Sequence, residues 1–303
     1  MVGDAAAEKL YLGGYYSVDD VAVASVGDIT DKTGMSKSAA ETIIKNALAA
    51  SEMDVPVTLD TYKDPMGHLS TGSKAIDDGI LGGGYLSGIV TEIHGLGGIG
   101  KTQSAMTAAV MATRPVSEGG MGCDVLYVDT EGSFTKARIM QIAEARGYNS
   151  EDVLSHIHLI KCQTAASQLL MLSNLNNWYK EWNLRCIIVD SAIANFRAEY
   201  TGRGTLADRQ AMLNRYLHAL SIYAREHQAV VLVTNQMESS PGIVYGDPNL
   251  PTGGNVFNHN CQCRIRVRKG QGKKLIFHLT KMCMLPSETE AICSIGEAGI
   301  KDA

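Results

Sequence analysis

The sequence lacks several features that would place the protein in a membrane or outside the cell. It has no run of roughly 18 or more apolar residues, so no membrane-spanning helix is predicted. The first residues, MVGDAAAEKLYLGGYY, show no basic stretch followed by an apolar one, which disfavours a secretory leader. The seven cysteines include no C-x-x-C pair, which favours reduced thiols over a zinc site or disulfides. We therefore expect a soluble, unexported protein without a membrane partner. It is expected in the cytoplasm, associated with the nucleoid in a prokaryote, or in the nucleus if the source is eukaryotic.

Positive charge is also scarce. Lysine and arginine total 27 against 32 acidic residues, which leaves a formal net charge of -5. Such a balance excludes a surface that wraps a polyanion on all sides, so any contact with nucleic acid must be local. Hydrophobic residues make up 45% of the chain, which is ample material for a large buried core.

The pattern along the chain predicts two domains. Residues 1–52 read as a small all-α domain, in which VGDITDKTGMSKSAAETIIKNAL predicts helix, turn at Gly34, and helix with Ser36 as N-cap. Residues 53–66 contain two prolines and read as a linker. From 67 to 303, apolar runs at 89–93, 125–128, 186–189 and 230–233 alternate with helical stretches. This alternation predicts an α/β domain with a mostly parallel central sheet, followed by a β-hairpin near the end.

The stretch HGLGGIGKTQ, residues 94–103, contains a complete phosphate-binding loop pattern. Glycines let successive backbone N–H groups converge on a phosphate, the lysine neutralises the β and γ oxygens, and the threonine hydroxyl holds Mg²⁺. The alternative is an ordinary glycine-rich turn between a strand and a helix. The sequence thus predicts ATP and Mg²⁺ as ligands, and the residues expected to line the nucleotide are Gly95, Leu96, Gly97, Gly98, Ile99, Gly100, Lys101, Thr102 and Gln103.

Three polar residues at strand ends extend this site. Asp190 ends the apolar run RCIIVD and is expected to support Mg²⁺ together with Thr102. Glu131 follows the run VLYVD and is the expected general base, because a carboxylate near the γ-phosphate can polarise the attacking water. Gln236 ends VVLVTNQ and is expected to report the state of the γ-phosphate. The alternatives are a solvated loop residue for Glu131 and a helix N-cap for Asp190.

A series of motifs in fixed order carries a family resemblance. The sequence resembles the RecA-like strand-exchange recombinases, and most closely the archaeal RadA members. The N-terminal pattern with SVDDVAVAS resembles the helix-hairpin-helix domain of that family. The motifs of the core are LSTGSKAIDDGILGGG, GKTQ, VDTEGSF, IVDSAIANFRAEYTGRGTLADRQAMLN, VTNQ, GDPNLPTGGNVFNHN, RKGQGKK and the ending GIKDA.

The resemblance implies a RecA-like P-loop ATPase core and a DNA-dependent ATPase. Such a protein assembles on single-stranded DNA as a helical filament or ring and exchanges strands with a homologous duplex in recombinational repair. ATP would lie between neighbouring subunits. By position, Arg138 matches the residue that stacks on adenine, His259 matches a sensor of the γ-phosphate across the subunit boundary, and Lys281 and Pro286 belong to the cap over the neighbour's ATP.

Two segments are expected to bind DNA. Arg197, Tyr200, Arg203 and Arg209 combine cations with one aromatic ring, a combination suited to single strands. A helix position for Arg209, paired with Asp208 or Glu199, is the alternative. Residues 237–254, from Met237 to Gly254, are rich in proline and glycine and are expected to form a mobile second DNA-binding loop. A basic hairpin at 264–274 adds a local positive patch.

The sequence departs from the family pattern in four places. Leu96 and Gly97 stand where the family has a Glu-Phe pair, and the second loop has no lysine or arginine between Met237 and Pro251. The linker lacks the phenylalanine that joins neighbouring subunits, so assembly would need another residue such as Val57 or Leu59. Lys281 replaces an aspartate that helps hold a cation, which predicts hydrolysis without potassium dependence.

Three functions remain open at this stage. The first is an ATP-dependent strand-exchange recombinase. The second is an accessory or mediator ATPase of the same family without sustained filaments, which the linker and loop departures favour. The third is a hexameric helicase on the same fold, which the N-terminal helices and the GRGTLADRQ segment disfavour.

Overall fold

The computed structural model describes residues 3–50, 58–59, 67–239 and 249–303. Contacts divide the chain into two compact units, Met1–Asp64 and Pro65–Ala303. The division at 1–52, 53–66 and 67–303 stays a prediction, because most of the expected linker lies outside the described residues.

The described part of the first unit is helical. Its helices are α1 (Asp4–Leu12), α2 (Val18–Ala22), α3 (Val26–Thr33) and α4 (Lys37–Ala50). The buried side chains that these helices share are Leu10, Tyr15, Val21, Ala22, Ile29, Ala40, Ile43 and Ala47. A small apolar core therefore holds this unit together.

Local polar signals set the ends of these helices. Ser17 and Asp20 form a reciprocal capping box at the start of α2. Helix α3 ends at Gly34, whose φ is 66°. Ser36 Oγ accepts a hydrogen bond of 3.3 Å from the Ala39 N–H, which confirms the predicted N-cap of α4. The predicted pattern of helix, turn and helix is thus present.

The second unit contains the strands of the α/β core. These are β1 (His68–Leu69), β2 (Tyr85–Leu86), β3 (Val90–Gly95), β4 (Asp124–Asp129), β5 (Ile157–Lys161), β6 (Leu184–Asp190), β7 (Val230–Ser239), β8 (Asn249–Pro251), β9 (Cys263–Lys269), β10 (Lys274–Lys281), β11 (Thr289–Gly296) and β12 (Gly299–Asp302).

The helices of the second unit connect and cover these strands. They are α5 (Lys74–Ile76, continued by a π-turn Asp77–Leu81), α6 (Lys101–Ala112), α7 (Lys136–Ala145), α8 (Ser150–Ser155), α9 (Ala165–Leu172), α10 (Leu175–Trp182), α11 (Ala194–Glu199), α12 (Leu206–His227) and α13 (Asn255–Asn260). Short 3₁₀ turns occur at Val116–Glu118 and Arg203–Thr205.

The main sheet has the order β5-β4-β6-β7-β3-β9-β10-β11-β12. Neighbours from β5 to β9 pair parallel, and the strands from β9 to β12 pair antiparallel. The mostly parallel sheet and the late hairpin predicted from the sequence are both confirmed. The short strands β1 and β2 form a separate antiparallel pair.

The strand order brings distant segments to one edge of the sheet. In the register, Gly95 of β3 pairs with Gln236 of β7, and Asp129 of β4 pairs with Asp190 of β6. The carboxyl ends of parallel strands all lie on the same side, where α/β sheets bind their ligands. The predicted site residues after β3, β4 and β6 therefore converge with the end of β7.

Helix α6 packs deep within the core. Ala105, Ala108, Ala109 and Ala112 have no exposed surface, so small side chains line a helix that is buried on most of its circumference. The hydroxyl of Thr107 accepts a hydrogen bond of 3.0 Å from the Ile300 N–H at the start of β12. The helix that begins at the phosphate loop is thus held between the sheet and its last strand.

The cysteines are all unpaired; six are buried, and Cys283 is exposed. Burial raises the pKa of the Cys123, Cys263 and Cys293 thiols to about 12. None of the helices in the described ranges combines the length and apolar character needed to span a bilayer.

Candidate active site

The loop between β3 and α6 depends on glycine for its backbone conformation and for close packing. Gly98 and Gly100 have left-handed φ values of 70° and 107°. A Cβ at Gly95 would lie 2.6 Å from the carbonyl oxygen of Val267 on β9. At Gly97 and Gly98 a Cβ would meet nothing within 4 Å, and both residues are exposed. The loop is therefore tight against the protein at its base and open to a ligand at its tip.

The start of α6 offers unused hydrogen-bond donors. This helix has 12 residues, its N-cap Gly100 has no side-chain acceptor, and its first turn has no acidic residue. The first N–H groups of a helix have no partner inside the helix, and they carry the positive end of the helix dipole. This arrangement fits an anion such as a phosphate.

Lys101 places a buried ammonium beside the same loop. Its Nζ donates to the carbonyl oxygens of Gly95 and Leu96, both at 2.9 Å, and the residue is 8% exposed. Burial lowers the pKa of Lys101 from 10.5, while the nearby charges of Glu131 and Asp190 act in the opposite direction. The hydrogen-bond acceptors described for this cation are neutral carbonyls. An anionic ligand would add a counter-charge in direct contact with this ammonium.

Asp190 lies at the end of β6, almost fully buried at 2% exposure. Its carboxylate accepts hydrogen bonds from Thr234 at 2.5 Å, Tyr127 at 3.1 Å and Ser133 at 3.3 Å. Burial raises the pKa of Asp190, and hydrogen bonds from Thr234 and Thr102 lower it. The contact with Thr102 brings together the two oxygen groups expected to support Mg²⁺.

These two groups fit a magnesium ion that is also bound by the nucleotide. The described residues contain no cluster of three or more His, Cys, Asp or Glu side chains arranged for a metal. Magnesium usually keeps several waters and binds through one or two protein oxygens together with substrate phosphates. One hydroxyl from Thr102 and one carboxylate from Asp190 correspond to that type of site.

The turn after β4 is organised by a carboxylate that the sequence analysis did not assign. Asp129 accepts hydrogen bonds from the backbone N–H groups of Glu131 at 3.2 Å, Ser133 at 3.1 Å and Phe134 at 3.2 Å. A carboxylate satisfied by several backbone donors fixes a loop conformation. Asp129 thereby sets the position of Glu131.

Glu131, the predicted general base, is exposed and is oriented by two donors. Its Oε1 accepts a hydrogen bond of 2.7 Å from the hydroxyl of Ser191 and one of 2.9 Å from Nε2 of Gln236. The predicted base and the predicted sensor are thus in direct contact. Ser191, at the end of β6, is a contributor that the sequence analysis missed.

A pocket of about 310 Å³ adjoins this contact. Glu131 and Gln236 form part of its wall, and the other residues that line it are Ile193, Ala194, Arg197 and Ala198. Ile193 directly precedes α11, and the other three lie within it. One of them, Arg197, is a predicted DNA-binding residue. The pocket therefore lies between the predicted catalytic base and the predicted DNA-binding segment.

The predicted DNA-binding residues are distributed over α11, the following turn and α12. Arg197 forms an ion pair of 3.0 Å with Glu238, and both side chains are about half exposed. Tyr200 follows α11, and Arg209 lies in α12 with a buried Nε that has no hydrogen-bond partner among the described residues. No ion pair of Arg209 with Asp208 or Glu199 is present in the described part. The side chain of Arg203 lies outside the described residues.

The segment Met237 to Gly254, predicted as the second DNA-binding loop, contains paired backbone among its described residues. Strand β7 extends to Ser239 and pairs antiparallel with β8, in the register Met237 to Pro251 and Ser239 to Asn249. The prolines and the lack of a clear period predict a mobile loop over all of Met237 to Gly254. That assignment is wrong at both ends, where backbone pairing forms a ladder. Residues 240–248 lie outside the described part.

Arg138 lies on α7 with its donors engaged. Nε donates to Gln103 at 2.8 Å, and the terminal nitrogens donate to the carbonyl oxygens of Gly296 at 2.6 Å and Glu297 at 3.0 Å. Guanidinium donors lie in the plane of the group, so these bonds leave its faces available for stacking. Contact with adenine stays a prediction.

Among the described residues, none of the three predicted cap residues forms a hydrogen bond with the phosphate loop. His259 is exposed on α13, and Pro286 is exposed after β10. Lys281 donates to the carbonyl oxygens of Asn258 and, at 2.9 Å, Cys261 at the end of α13. Its ammonium therefore occupies a cation position at a helix C-terminus. Roles of these three residues across a subunit boundary stay predictions.

Comparison with known proteins completes the description of the site. The Rad51 family model matches residues 63–303. The chain is 36% identical over 305 residues to the DNA repair and recombination protein RadA of Metallosphaera sedula, covering 100% of this chain and 94% of that protein. It is also 36% identical over 309 residues to the protein of the same description from Cenarchaeum symbiosum, covering 99% of this chain and 77% of that protein.

Proposed function

Because the chain belongs to the Rad51 family, we propose that it is an ATP-dependent DNA strand-exchange recombinase that acts in recombinational DNA repair. Relatives that match it over nearly its whole length are described as DNA repair and recombination proteins. Its reaction is the DNA-dependent hydrolysis of ATP to ADP and phosphate, coupled to strand exchange. Its DNA partners are a single strand and a homologous duplex, and its protein partners are further copies of itself.

The phosphate loop binds the nucleotide in this proposal. The N–H groups at the start of α6 and the ammonium of Lys101 contact the phosphates. The glycine backbone lets them approach closely, since no side chain fills the space at Gly97 or Gly98. Thr102 and Asp190 would hold Mg²⁺, which neutralises charge that develops on the phosphate oxygens.

Glu131 supplies the base for hydrolysis. A water placed between Glu131 and the γ-phosphate gives a proton to the carboxylate, while its oxygen forms a bond to phosphorus and the bond from phosphorus to ADP breaks. Ser191 and Gln236 both donate to Oε1 of Glu131. These donors hold the carboxylate in one orientation.

The contact between Gln236 and Glu131 is the observation that carries the proposal. Gln236 lies on β7, which leads directly into the second predicted DNA-binding segment. Glu131 lies next to the phosphate loop, as the effect of its charge on the Lys101 pKa indicates. A conformational change at the second predicted DNA-binding segment can therefore reach the catalytic base through β7 and Gln236. Such a path is what a DNA-dependent ATPase requires.

We assign DNA binding to two parts of the chain. The first contains Arg197, Tyr200, Arg203 and Arg209, and the second is the segment that begins and ends with the paired residues 237–239 and 249–251. Phosphate contacts by arginine give affinity without sequence preference, and a tyrosine ring can stack on an unpaired base. Because the second segment has no lysine or arginine between Met237 and Pro251, few phosphates would be neutralised there, and we expect weak binding with a shallow salt dependence.

Assembly with further copies requires an anchor in place of the missing linker phenylalanine. Leu59 is 88% exposed, a large apolar side chain without cover in the described part of the chain. An exposed apolar residue of this kind is a suitable interface anchor. We assign it as the first candidate for contact with a neighbouring copy.

The test is ATP turnover measured with and without single-stranded DNA at low salt. We expect turnover to rise with DNA, and electron microscopy with a non-hydrolysable ATP analogue to show helical filaments. Stimulation without filaments would favour the accessory ATPase, and closed six-membered rings would favour the helicase. Turnover indifferent to DNA, together with no retention of the oligonucleotide, would contradict the proposal.

A further inference from the structure

The pocket between Glu131 and α11 has the size and the lining of a site for a small charged ligand. Its volume of about 310 Å³ falls at the lower end of the range of about 300 to 1,000 Å³ that is typical of ligand pockets. Ala194 and Ala198 contribute small apolar side chains to its wall, and Glu131 and Arg197 contribute a carboxylate and a guanidinium. The two charged groups give the pocket one acidic and one basic side.

Helix α11, which forms much of the pocket wall, is fixed to the protein through another of its faces. Asn195 is 7% exposed, and its Nδ2 donates to the carbonyl oxygen of Cys162 at 3.0 Å and to Oε1 of Gln168 at 2.9 Å. One turn later, Glu199 accepts a hydrogen bond of 2.8 Å from the N–H of Ala165 at the start of α9. Residues four apart lie on one face of a helix. The wall of the pocket is therefore held in place before any ligand arrives.

Arg197 supplies the positive charge, and its partner in the structure holds it weakly. Its Nε pairs with a carboxylate oxygen of Glu238 at 3.0 Å, and the two side chains are 47% and 48% exposed. Ion pairs this exposed contribute little to stability. A guanidinium has four further N–H donors on its terminal nitrogens, in a planar arrangement that matches the oxygens of a phosphate. A phosphate anion can therefore bind Arg197 beside Glu238 or in its place.

Glu131 supplies the negative charge, and the proposed reaction removes this charge when a phosphate is formed. The base accepts a proton from the attacking water, so its carboxyl group is neutral once the water oxygen is bonded to phosphorus. The attacking oxygen and the leaving oxygen of ADP lie roughly in line on opposite sides of the phosphorus. The new phosphate therefore lies on the Glu131 side of ADP, next to the pocket that Glu131 lines.

We propose that this pocket binds the inorganic phosphate produced by hydrolysis, with Arg197 as the group that holds the anion. The inference rests on the proposed function and concerns the route by which its product leaves. After the bond to ADP breaks, the phosphate moves past Glu131 to Arg197 and is released from there. Inorganic phosphate and the phosphodiester of DNA offer Arg197 the same chemistry, so the two compete for this side chain.

The first test is the inhibition of DNA-free ATP turnover by added inorganic phosphate, at an ionic strength kept constant with chloride. Phosphate should inhibit the wild type by occupying the pocket. Arg197→Gln should raise the inhibitory concentration about tenfold or more, which corresponds to the loss of one hydrogen bond to a charged group. An unchanged inhibitory concentration in Arg197→Gln would mean that phosphate binds elsewhere, and absence of inhibition in an active wild type would mean that it does not bind. Either result would overturn the inference.

Arg268→Gln is the matched control for the loss of charge. Arg268 pairs with Glu290 at 2.7 Å, the two side chains are about as exposed as Arg197 and Glu238, and neither lines the pocket. Inhibition of Arg268→Gln by phosphate should therefore match that of the wild type. An equal increase of the inhibitory concentration in both arginine variants would show an effect of net charge alone and would refute the role of Arg197.

Ala198→Leu tests the volume of the pocket without changing its charge. Ala198 is an exposed helical residue in the pocket wall. Leucine has a helix propensity close to that of alanine, so the variant should fold while its side chain fills part of the space. The inhibitory concentration of phosphate should rise, as in Arg197→Gln. Ala166→Leu, at an exposed position of α9 outside the pocket lining, is the control. Wild-type inhibition of Ala198→Leu would contradict the assignment of the anion to this pocket.

Saturating single-stranded DNA distinguishes the two sources of phosphate. If both bind Arg197, DNA should raise the concentration of inorganic phosphate needed to inhibit the wild type. A pocket that accepts only the DNA backbone would give a different result. In that case Arg197→Gln would weaken DNA binding, while free phosphate would fail to inhibit even without DNA, and the inference would be overturned.

Direct binding separates the inference from the proposed function. Calorimetric titration of inorganic phosphate into the full chain saturated with ADP requires no hydrolysis. The wild type should bind phosphate, and Arg197→Gln should bind it about tenfold more weakly or less. A wild type that hydrolyses ATP in response to DNA but binds no phosphate would overturn the inference alone. A wild type that binds phosphate but shows no response of turnover to DNA would overturn the proposed function instead.

Discussion

Arg197 and Glu238 form an ion pair across the two predicted DNA-binding segments, with 3.0 Å between Nε and a carboxylate oxygen. Arg197 lies on α11, and Glu238 lies on β7 two residues beyond Gln236. At the predicted DNA-binding site, Glu238 would therefore compete with a DNA phosphate for Arg197.

The first prediction concerns that competitor. Glu238→Gln should raise the affinity for single-stranded DNA up to about fivefold, because exposed ion pairs contribute about 0 to 1 kcal/mol. The logarithmic salt slope of binding should steepen by about 0.7, the contribution of one more phosphate contact. Titration of a labelled oligonucleotide at several salt concentrations measures both quantities.

The matched control for Glu238→Gln is Asp152→Asn. Asp152 pairs with Arg114 at 2.6 Å, outside the predicted DNA-binding segments and the basic hairpin, and its side chain is about as exposed as that of Glu238. Removing the same charge there should leave the salt slope unchanged. An equal gain in affinity from both variants would show that only the net charge matters.

The second prediction concerns the base. Glu131→Gln should retain nucleotide binding and slow hydrolysis by about 100-fold or more, since general-base catalysis contributes about 10² to 10⁴. Binding of a fluorescent nucleotide and single-turnover hydrolysis separate the two effects. Glu118→Gln, an exposed residue in the 3₁₀ turn before β4, serves as control. Hydrolysis at the wild-type rate in Glu131→Gln would assign the base to another residue.

The third prediction concerns Lys101. Lys101→Ala should weaken nucleotide binding by two to three orders of magnitude, because unit charges about 4 Å apart near a protein surface interact by about 4 kcal/mol. Equilibrium binding of a nucleotide analogue measures the loss. Lys136→Ala, at the exposed start of α7, should bind normally. Normal binding by Lys101→Ala would remove this ammonium from the phosphate site.

The fourth prediction concerns the monovalent cation. Because the Lys281 ammonium already contacts carbonyl oxygens at the end of α13, turnover should be the same in sodium and in potassium. Lys281→Asp should introduce a potassium dependence, since a carboxylate there can hold a metal cation instead. Lys273→Asp, in the turn at the opposite end of β10, is the control for charge. Wild-type turnover that rises severalfold in potassium would refute the assignment.

The fifth prediction concerns stability at low pH. Burial lowers the pKa of His94 from 6.5 to about 4, with Glu92 acting in the opposite direction and Arg264 and Arg266 acting with burial. Between pH 6.5 and about pH 4, His94 therefore binds a proton in the unfolded chain but not in the native chain. Stability therefore falls as the pH drops below about 6.5, an effect that is complete near pH 4.

The measurement for His94 is urea unfolding at pH 7 and pH 5. The wild type should lose about 2 kcal/mol from this residue between the two values. His94→Gln cannot take up the proton and should lack that part of the loss. The same pH dependence in both proteins would show that His94 does not titrate in this way.

Local chemistry made much of the fold predictable. The glycines and lysine of residues 95–102 define the phosphate loop whatever surrounds it, and the apolar runs before Asp129 and Asp190 define buried strands. The turn at Gly34 and the cap at Ser36 follow from the same short-range rules. These features depend on neighbours in sequence, so the sequence displays them directly.

The contacts that organise the site were not predictable in this way. Asn235 and Glu92 are 143 residues apart, and Gln236 and Glu131 are 105 residues apart. Their meeting depends on the order of strands in the sheet, which no local pattern specifies. The ladder between β7 and β8 was missed because β8 has only three residues and ends in a proline, so it shows no clear alternation.

The distribution of thiols has a practical consequence for following the protein in solution. Cys283 is exposed in the turn after β10, three residues before Pro286, while the other six cysteines are buried. A maleimide dye added to the native wild-type chain should therefore attach at one position. That position lies in the segment assigned to the cap over a neighbour's nucleotide. Fluorescence from it would follow the proposed assembly with further copies in real time, without any engineered label.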